Sequence, residues 1–341
     1  MASSQRLEGH RQAIPRRTPA SRLRWPKLVA TIGAAGALIA IVFAFALGGT
    51  GSPSKIKPVA PGHGPLTLAT TPDSYLGLYP AGAPGSAAGV TAFTAATGIK
   101  LSLVPYYSGW FEPFQAGFAK SVAGDGAVPL VQINPTGISL AAIAAGRYDS
   151  YLRTYAQAIT AYRHPVILSF GHEMNGDWYS WGYKKTSPAV FVAAWRHIVT
   201  LFRHQAVDNV TWMWTVNIID DPHYGRIPSP AQWWPGRSYV TWVGIDGYYY
   251  HSSTMFTSLF GPTIAAVREI THDPILIAET AAVPAADQPA KIADLFAGVR
   301  LYELLGFVWF DVARSYDWQV NSRMAFAAFR RGAEAYQGPA T

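Results

Sequence analysis

A closed (β/α)8 barrel is the fold class that the sequence predicts, on three observations. Eight short runs of apolar, β-branched and aromatic residues recur after residue 74, helical patterns lie between most of them, and polar residues gather where several runs end. Eight such repeats in about 265 residues fit a closed barrel better than an open sheet.

The expected strands are Tyr75–Tyr79, Leu101–Tyr106, Val128–Ile133, Val166–Phe170, Val210–Thr215, Val240–Ile245, Ile275–Ala278 and Phe307–Phe310. Between and after them, Tyr151–Tyr162, Ala189–Phe202, Ile264–Ile270, Lys291–Leu305 and Met324–Tyr336 carry helical patterns. Ile218 to Arg237 is rich in Pro and Trp and reads as an elaborated loop. The whole folded domain is expected over residues 71–338.

Composition supports one large core, since half of the 341 residues are hydrophobic. Aromatics make up 13%, with 12 Trp, which fits either an aromatic core or flat platforms for sugar rings. There is no cysteine, so disulfides and thiolate chemistry are excluded. The net charge is +7, but residues 1–27 hold seven Lys/Arg against Glu8 and account for +6 of it. The remaining chain is nearly neutral and has no basic footprint for phosphates, so nucleic acid is not an expected partner.

After that basic tail, Leu28 to Leu47 runs for 20 residues without a charge. A helix of that length covers about 30 Å, the thickness of a bilayer's hydrocarbon core. A transmembrane anchor over 28–47 is therefore expected, with the tail in the cytoplasm and the bulk outside. Ala44-Phe45-Ala46 keeps a cleaved signal peptide, and hence secretion, open. Residues 48–70, with Pro53, Pro58, Pro61 and Pro65, read as a flexible linker. A monomer is the expected state.

In such barrels chemistry sits at the carboxyl ends of the strands. That rule selects His172-Glu173 after the fourth run, Asp246 and Tyr248 after the sixth, Glu279 after the seventh, and Trp309 and Asp311 on the eighth. Taken singly, a strand-end glutamate is more often structural than catalytic. Two of them, facing each other across one mouth, suit acid catalysis paired with a nucleophile or base. Aromatic neighbours would raise the pKa of Glu173 and keep it protonated. His172-Glu173 is not a zinc-protease helix, because the second histidine position is Gly176. Asp220-Asp221-Pro222-His223 reads as turn chemistry, with a cation site as the alternative. Arg147-Tyr148-Asp149 reads as a helix cap with a salt bridge. Trp233-Trp234 is either platform or packing.

His172-Glu173-Met174-Asn175-Gly176, with Trp178 and Trp181, resembles the signature of glycoside hydrolase family 26. Ile277-Ala278-Glu279-Thr280 resembles that family's nucleophile strand, and Gly244-Ile245-Asp246-Gly247-Tyr248 its sixth strand. The resemblance covers roughly Tyr75 to Phe329. It implies a retaining (β/α)8 enzyme acting on a polysaccharide, with β-mannan or glucomannan expected first. A mixed-linkage β-glucanase, a hydrolase that trims an exported polysaccharide, and a non-catalytic glycan-binding barrel remain alternatives.

Carried over, Glu173 would be the acid/base and Glu279 the nucleophile. His172 would orient the site and bind sugar hydroxyls, Tyr248 would hydrogen-bond Glu279, and Trp178 and Trp309 would stack on sugars. Asp246 divides between substrate contact and loop anchoring. No metal and no organic cofactor is implied. One departure stands out: Gln132-Ile133-Asn134-Pro135 and Tyr106-Tyr107-Ser108-Gly109-Trp110 replace the ring residues that the family's mannanases usually present after strands three and two. Trp110 is the candidate to serve there, and the mannan assignment is the part placed in doubt.

Overall fold

The computed structural model describes residues 66–334, all within one compact unit. Eight parallel strands close into a barrel: β1 (Tyr75–Pro80), β2 (Leu103–Gly109), β3 (Val128–Asn134), β4 (Val166–Phe170), β5 (Val210–Asn217), β6 (Trp242–Asp246), β7 (Ile275–Thr280) and β8 (Gly306–Asp311). Each strand pairs with its neighbour in sequence, and β8 closes on β1 from Tyr75↔Gly306 to Pro80↔Asp311. All eight expected strands are present. The expected starts at Leu101 and Val240 lie upstream of β2 and β6, while β2 and β5 run further, to Gly109 and Asn217.

The strands read as near-continuous apolar runs because both of their faces are covered. Inside, Tyr75, Leu103, Leu130, Ile167, Met213, Trp242, Leu276, Ala278 and Val308 form one cluster to which every barrel strand contributes. This is the filled floor of the barrel. Alternation along each strand then sets what points into the space above. Two residues on from Ile167 and Met213, Ser169 and Thr215 meet oxygen to oxygen at 2.9 Å. Four residues on from Leu103 and Trp242 come Tyr107 and Asp246.

The outer layer contains nine helices among the described residues. Four expected ones are present with shifted ends: α4 (Asp149–Tyr162), α7 (Gly261–Arg268), α8 (Gln288–Leu301) and α9 (Arg323–Glu334). The fifth, α5 (Pro188–His204), begins at a Ser187 side chain that accepts from Val190 N, has Pro at its start, and ends in Arg203 and His204, which oppose the dipole. Four short helices were not visible as patterns: α1 (Ala88–Thr97), α2 (Ala116–Gly124), α3 (Leu140–Ala144) and α6 (Phe256–Leu259). α3 and α6 have five and four residues, and α1 and α2 are rich in Ala, Gly and Thr, so none shows a clear apolar stripe.

Asp149 does not cap α4, whose N-cap residue Tyr148 makes no side-chain bond; Asp149 pairs instead with His197 of α5 at 2.6 Å. The expected elaborated loop after β5 holds a two-stranded ribbon, Asp220–Asp221 against Gly225–Arg226, and a 3-10 turn at Pro230–Trp233. The basic tail, the apolar run 28–47 and the linker up to residue 65 lie outside the described residues. Among the described residues no helix is long and apolar enough to cross a membrane.

Candidate active site

Glu173 and Glu279 reach the mouth of the barrel by different backbone devices. β4 ends at Phe170, and Gly171 then takes a left-handed conformation at φ +57° with Trp181 and Phe191 packed against its Cα. Glu173 also adopts a left-handed φ of +53°, which is uncommon for a residue with a Cβ. Its N–H donates to Thr215 O of β5 at 3.0 Å, so the turn is tied to the next strand. Gly176 follows because a Cβ there would fall 2.3 Å from Cη2 of the Trp178 ring. Trp178 thereby lies over the turn and donates its indole N–H to Glu173 Oε2 at 2.7 Å.

Glu279 stands on a strand, and a bulge aims it. Leu276 and Ala278 face the barrel floor, so strict alternation would turn Glu279 outward. The register between β6 and β7 slips after Ile245↔Ile277, so that Asp246 is paired with Glu279. The extra residue brings Glu279 round to the same side as Asp246. There its carboxylate accepts from Tyr107 Oη at one oxygen and from Tyr248 Oη, at 2.8 Å, at the other.

Burial raises the pKa of both glutamates, and their surroundings then separate them. Glu173 is pushed well above the ordinary carboxylate range, first by burial and then by the negative charge of Glu279; the Trp178 N–H opposes this only in part. For Glu279 burial is countered by the two phenol donors and by the positive charge of Arg314. The Glu279 pKa is still raised, but Glu173 is raised further, so of the two Glu173 holds its proton more firmly.

Asp246 is fully buried, and neither carboxyl oxygen meets a protein hydrogen-bond partner. Burial, then the charges of Glu279 and Glu173, raise its pKa well above the ordinary value, which favours its neutral form. His172 is also buried, its Nε2 lies 3.1 Å from Tyr179 Oη, and its Nδ1 has no partner. Burial lowers its pKa to about 3, which makes it a neutral ring at working pH. Tyr179 stacks on Trp181 at 4.3 Å, and the Trp181 indole donates to His172 O, so these two rings fix the histidine. His172, Asp246 and Glu279 each bring one ligand-type atom to within 4.8 Å of the others. Both Glu279 oxygens already accept from tyrosines, so the Asp246 oxygens and His172 Nδ1 are the atoms of this group without a protein partner.

The structure thus gathers Glu173, Glu279, His172, Asp246, Tyr248 and Trp178, and it removes two aromatic candidates. Trp309 is one residue off the inward-facing Val308 and so points outward; it is fully buried, donates its indole N–H to Trp318 O at 3.0 Å and packs on Phe329. It has no face left for a sugar. Beside Tyr248 at that end lies Trp318, itself buried, with ring centroids 5.0 Å apart. Asp311 Oδ1 accepts from Val320 N at 2.7 Å and so anchors the loop that carries Trp318. Trp110 is also buried, in an aromatic cluster with Tyr148, Tyr151 and Phe170. Trp233 and Trp234 are packing against Tyr183 and Trp214.

Tyr107, Tyr179 and Trp318 were not singled out from sequence. Tyr107 had a signal, since it shares parity with Leu103; Trp318 had none beyond following the last strand.

The family model described as Glycosyl hydrolase family 26 matches residues 146–322, which hold both glutamates and every strand from β4 to β8. The chain belongs to glycosyl hydrolase family 26. The chain is 30% identical over 266 residues to Endoglucanase H of Acetivibrio thermocellus, an alignment covering 73% of this chain and 29% of that protein. A shorter stretch of 85 residues is 28% identical to Mannan endo-1,4-beta-mannosidase A and B of Caldalkalibacillus mannanilyticus, covering 23% of this chain and 15% of that one. The chain therefore spans less than a third of either curated relative. Among solved structures, a Cellulomonas fimi endo-β-1,4-mannanase double mutant superposes with a TM-score of 0.61 at 16% identity, over 76% of this chain and 70% of the other. At that identity the likeness concerns the fold.

Proposed function

We propose that this family 26 chain is a retaining glycoside hydrolase that cleaves a β-1,4-linked polysaccharide internally, with β-mannan or glucomannan as the first candidate. The observation that carries the reading is the contrast between the two glutamates: one carboxyl holds its proton more firmly under a single indole donor, and the other is held and aimed by two phenols. In the first step a Glu279 oxygen bonds to the anomeric carbon as the glycosidic C–O bond breaks, and the Glu173 proton passes to the departing oxygen. In the second, ionised Glu173 takes a proton from water, whose oxygen bonds to the anomeric carbon and frees Glu279. Tyr107 and Tyr248 hold the nucleophile in place, and neutral His172 and Asp246 offer hydrogen bonds to sugar hydroxyls without adding charge.

Mixed-linkage β-glucan is the second reading. The long alignment to an endoglucanase favours it, as does Asn134 where the mannanases usually carry a ring. We further propose that the domain faces outward from a membrane or is exported, as the apolar run 28–47 suggests.

Residues 66–341 incubated with β-mannan, glucomannan and mixed-linkage glucan should release reducing ends from at least one, and a 2-fluoro sugar should label the peptide containing Glu279. A Glu279→Ala variant as active as wild type, or a label on another peptide, rejects the double-displacement reading.

A further inference from the structure

An unbroken line of rings joins the two catalytic carboxyl groups along one side of the mouth. Trp178, whose N–H holds Glu173, lies against Tyr224 with centroids 4.5 Å apart and planes 25° from parallel. Tyr224 meets His223 edge-on at 4.6 Å, and His223 stacks on Tyr250 at 5.2 Å. Tyr250 meets Trp318 at 5.5 Å, and Trp318 flanks Tyr248, which holds Glu279. The rings come from loops after β4, β5, β6 and β8, so no single element's packing requires them to meet.

Tyr224 and its neighbour His223 are the members of this line that core packing does not explain, and Tyr224 is the one against Trp178. It is 57% exposed, at the tip of the ribbon between Asp220–Asp221 and Gly225–Arg226. The tip is nevertheless fixed. The buried Asp221 accepts with Oδ1 from the N–H groups of His223 and Tyr224, at 2.7 and 2.9 Å, and with Oδ2 from Asn217 Nδ2 at 3.3 Å. Asn217 in turn exchanges two hydrogen bonds with Asn175, its N–H donating to Oδ1 at 2.9 Å and its carbonyl accepting from Nδ2 at 2.8 Å. Asn175 is two residues from Glu173. The ribbon is therefore registered, through side chains, to the same turn that carries the acid.

We propose that Tyr224 is the platform for the sugar on the leaving-group side of the cleaved bond, and so sets how strongly the enzyme prefers glycans that extend beyond that bond. The inference rests on the glycosidase reading, since Glu173 marks the leaving-group side only as the acid. The departing oxygen must come within hydrogen-bond reach of the Glu173 carboxyl. Trp178 already occupies Oε2 of that carboxyl, so the sugar bearing the oxygen arrives alongside the indole. The exposed flat ring next to it is Tyr224, and an aromatic face suits the C–H face of a pyranose. A ring already ordered by Asp221 and stacked on Trp178 binds without a further ordering cost.

Glycosyl fluorides test this, because fluoride leaves as a single atom and places no sugar at the platform. The measurement is the ratio of kcat/KM for a β-1,4-linked oligosaccharide that the wild type cleaves to kcat/KM for the fluoride of the matching disaccharide. In Tyr224→Ala that ratio should fall about tenfold, and Tyr224→Phe, which keeps the face, should retain the wild-type ratio. Tyr224→Leu keeps apolar bulk against Trp178 but has no flat face, and should fall as Ala does. A wild-type ratio in both Ala and Leu overturns the platform, as do equal losses on the two substrates, which would mean that Tyr224 only props Trp178. A wild type that turns over neither substrate overturns the glycosidase reading, and this proposal with it.

Discussion

The turn after β4 and the end of β7 both deliver a buried glutamate to the same mouth, yet they treat it in opposite ways. At the turn, Glu173 has a single donor, the Trp178 indole, and faces the negative charges of Glu279 and Asp221. At the strand end, Glu279 has two phenol donors and a nearby guanidinium. The backbones differ as well: a left-handed turn tied to β5 carries Glu173, and a bulged strand in the barrel wall carries Glu279. The comparison teaches that residue type assigns neither role. The roles proposed for the two carboxyls rest on how many donors reach each after burial has raised both pKa values.

Removing the carboxyls breaks the comparison most directly. Glu279→Ala should lower kcat by about 10⁴-fold or more, as for other covalent nucleophiles, while Glu173→Ala should lose about 10²- to 10⁴-fold, the usual share of an acid/base. Added azide separates them further. It should give a glycosyl azide of retained configuration with Glu173→Ala and of inverted configuration with Glu279→Ala, as read by NMR; the reverse pattern would exchange the two roles.

Tyr248→Phe removes one of the donors that hold Glu279 ionised. A hydrogen bond to a charged group carries ~1.5–3 kcal/mol, so kcat/KM should fall about 10- to 100-fold. Because this donor lowers the Glu279 pKa, its loss raises that pKa, and the ascending limb of the pH profile should move to higher pH. A limb that stays in place would show that Tyr107 alone sets the charge. Trp178→Phe acts on the other carboxyl. Its N–H stabilises ionised Glu173, so its loss should move the descending limb to higher pH, with a smaller fall in rate at the optimum.

The smallest effect concerns stability. Asp246 has a folded pKa raised above its ordinary value of 3.8, so the folded state binds the extra proton as pH rises past that value. The stability it contributes is complete below about pH 4 and is lost as pH climbs through the raised folded pKa. Asp246→Asn, which stays neutral, should therefore lose less melting temperature between acidic and alkaline pH than wild type does. Equal slopes would mean that Asp246 ionises freely.

Much of the barrel was legible because a parallel strand covered on both faces reads as a short apolar run, and eight of them stand at regular spacing. Short helices such as Ala116–Gly124 were not legible, since propensity and stripe are both weak over nine residues. Within the site, parity was the signal that went unused. Val308 faces inward, so Trp309 must face out, and Leu103 puts Tyr107 in. Glu279 shows why parity alone is not enough: the bulge at Ala278 reverses it, and bulges follow from the pairing of neighbouring strands rather than from local sequence.

The sequence by itself determined the eight-fold repeat, the two glutamates and the family, because these depend on residue type and order along the chain. Tertiary structure decided which glutamate holds its proton more firmly, which rings meet at the mouth, and that a tyrosine on a ribbon tip stands against Trp178, beside Glu173. Those outcomes depend on burial and on donors brought from strands far apart in sequence: Tyr107 lies on β2 and its acceptor, Glu279, on β7. No local pattern encodes such distances; only closure of the barrel sets them.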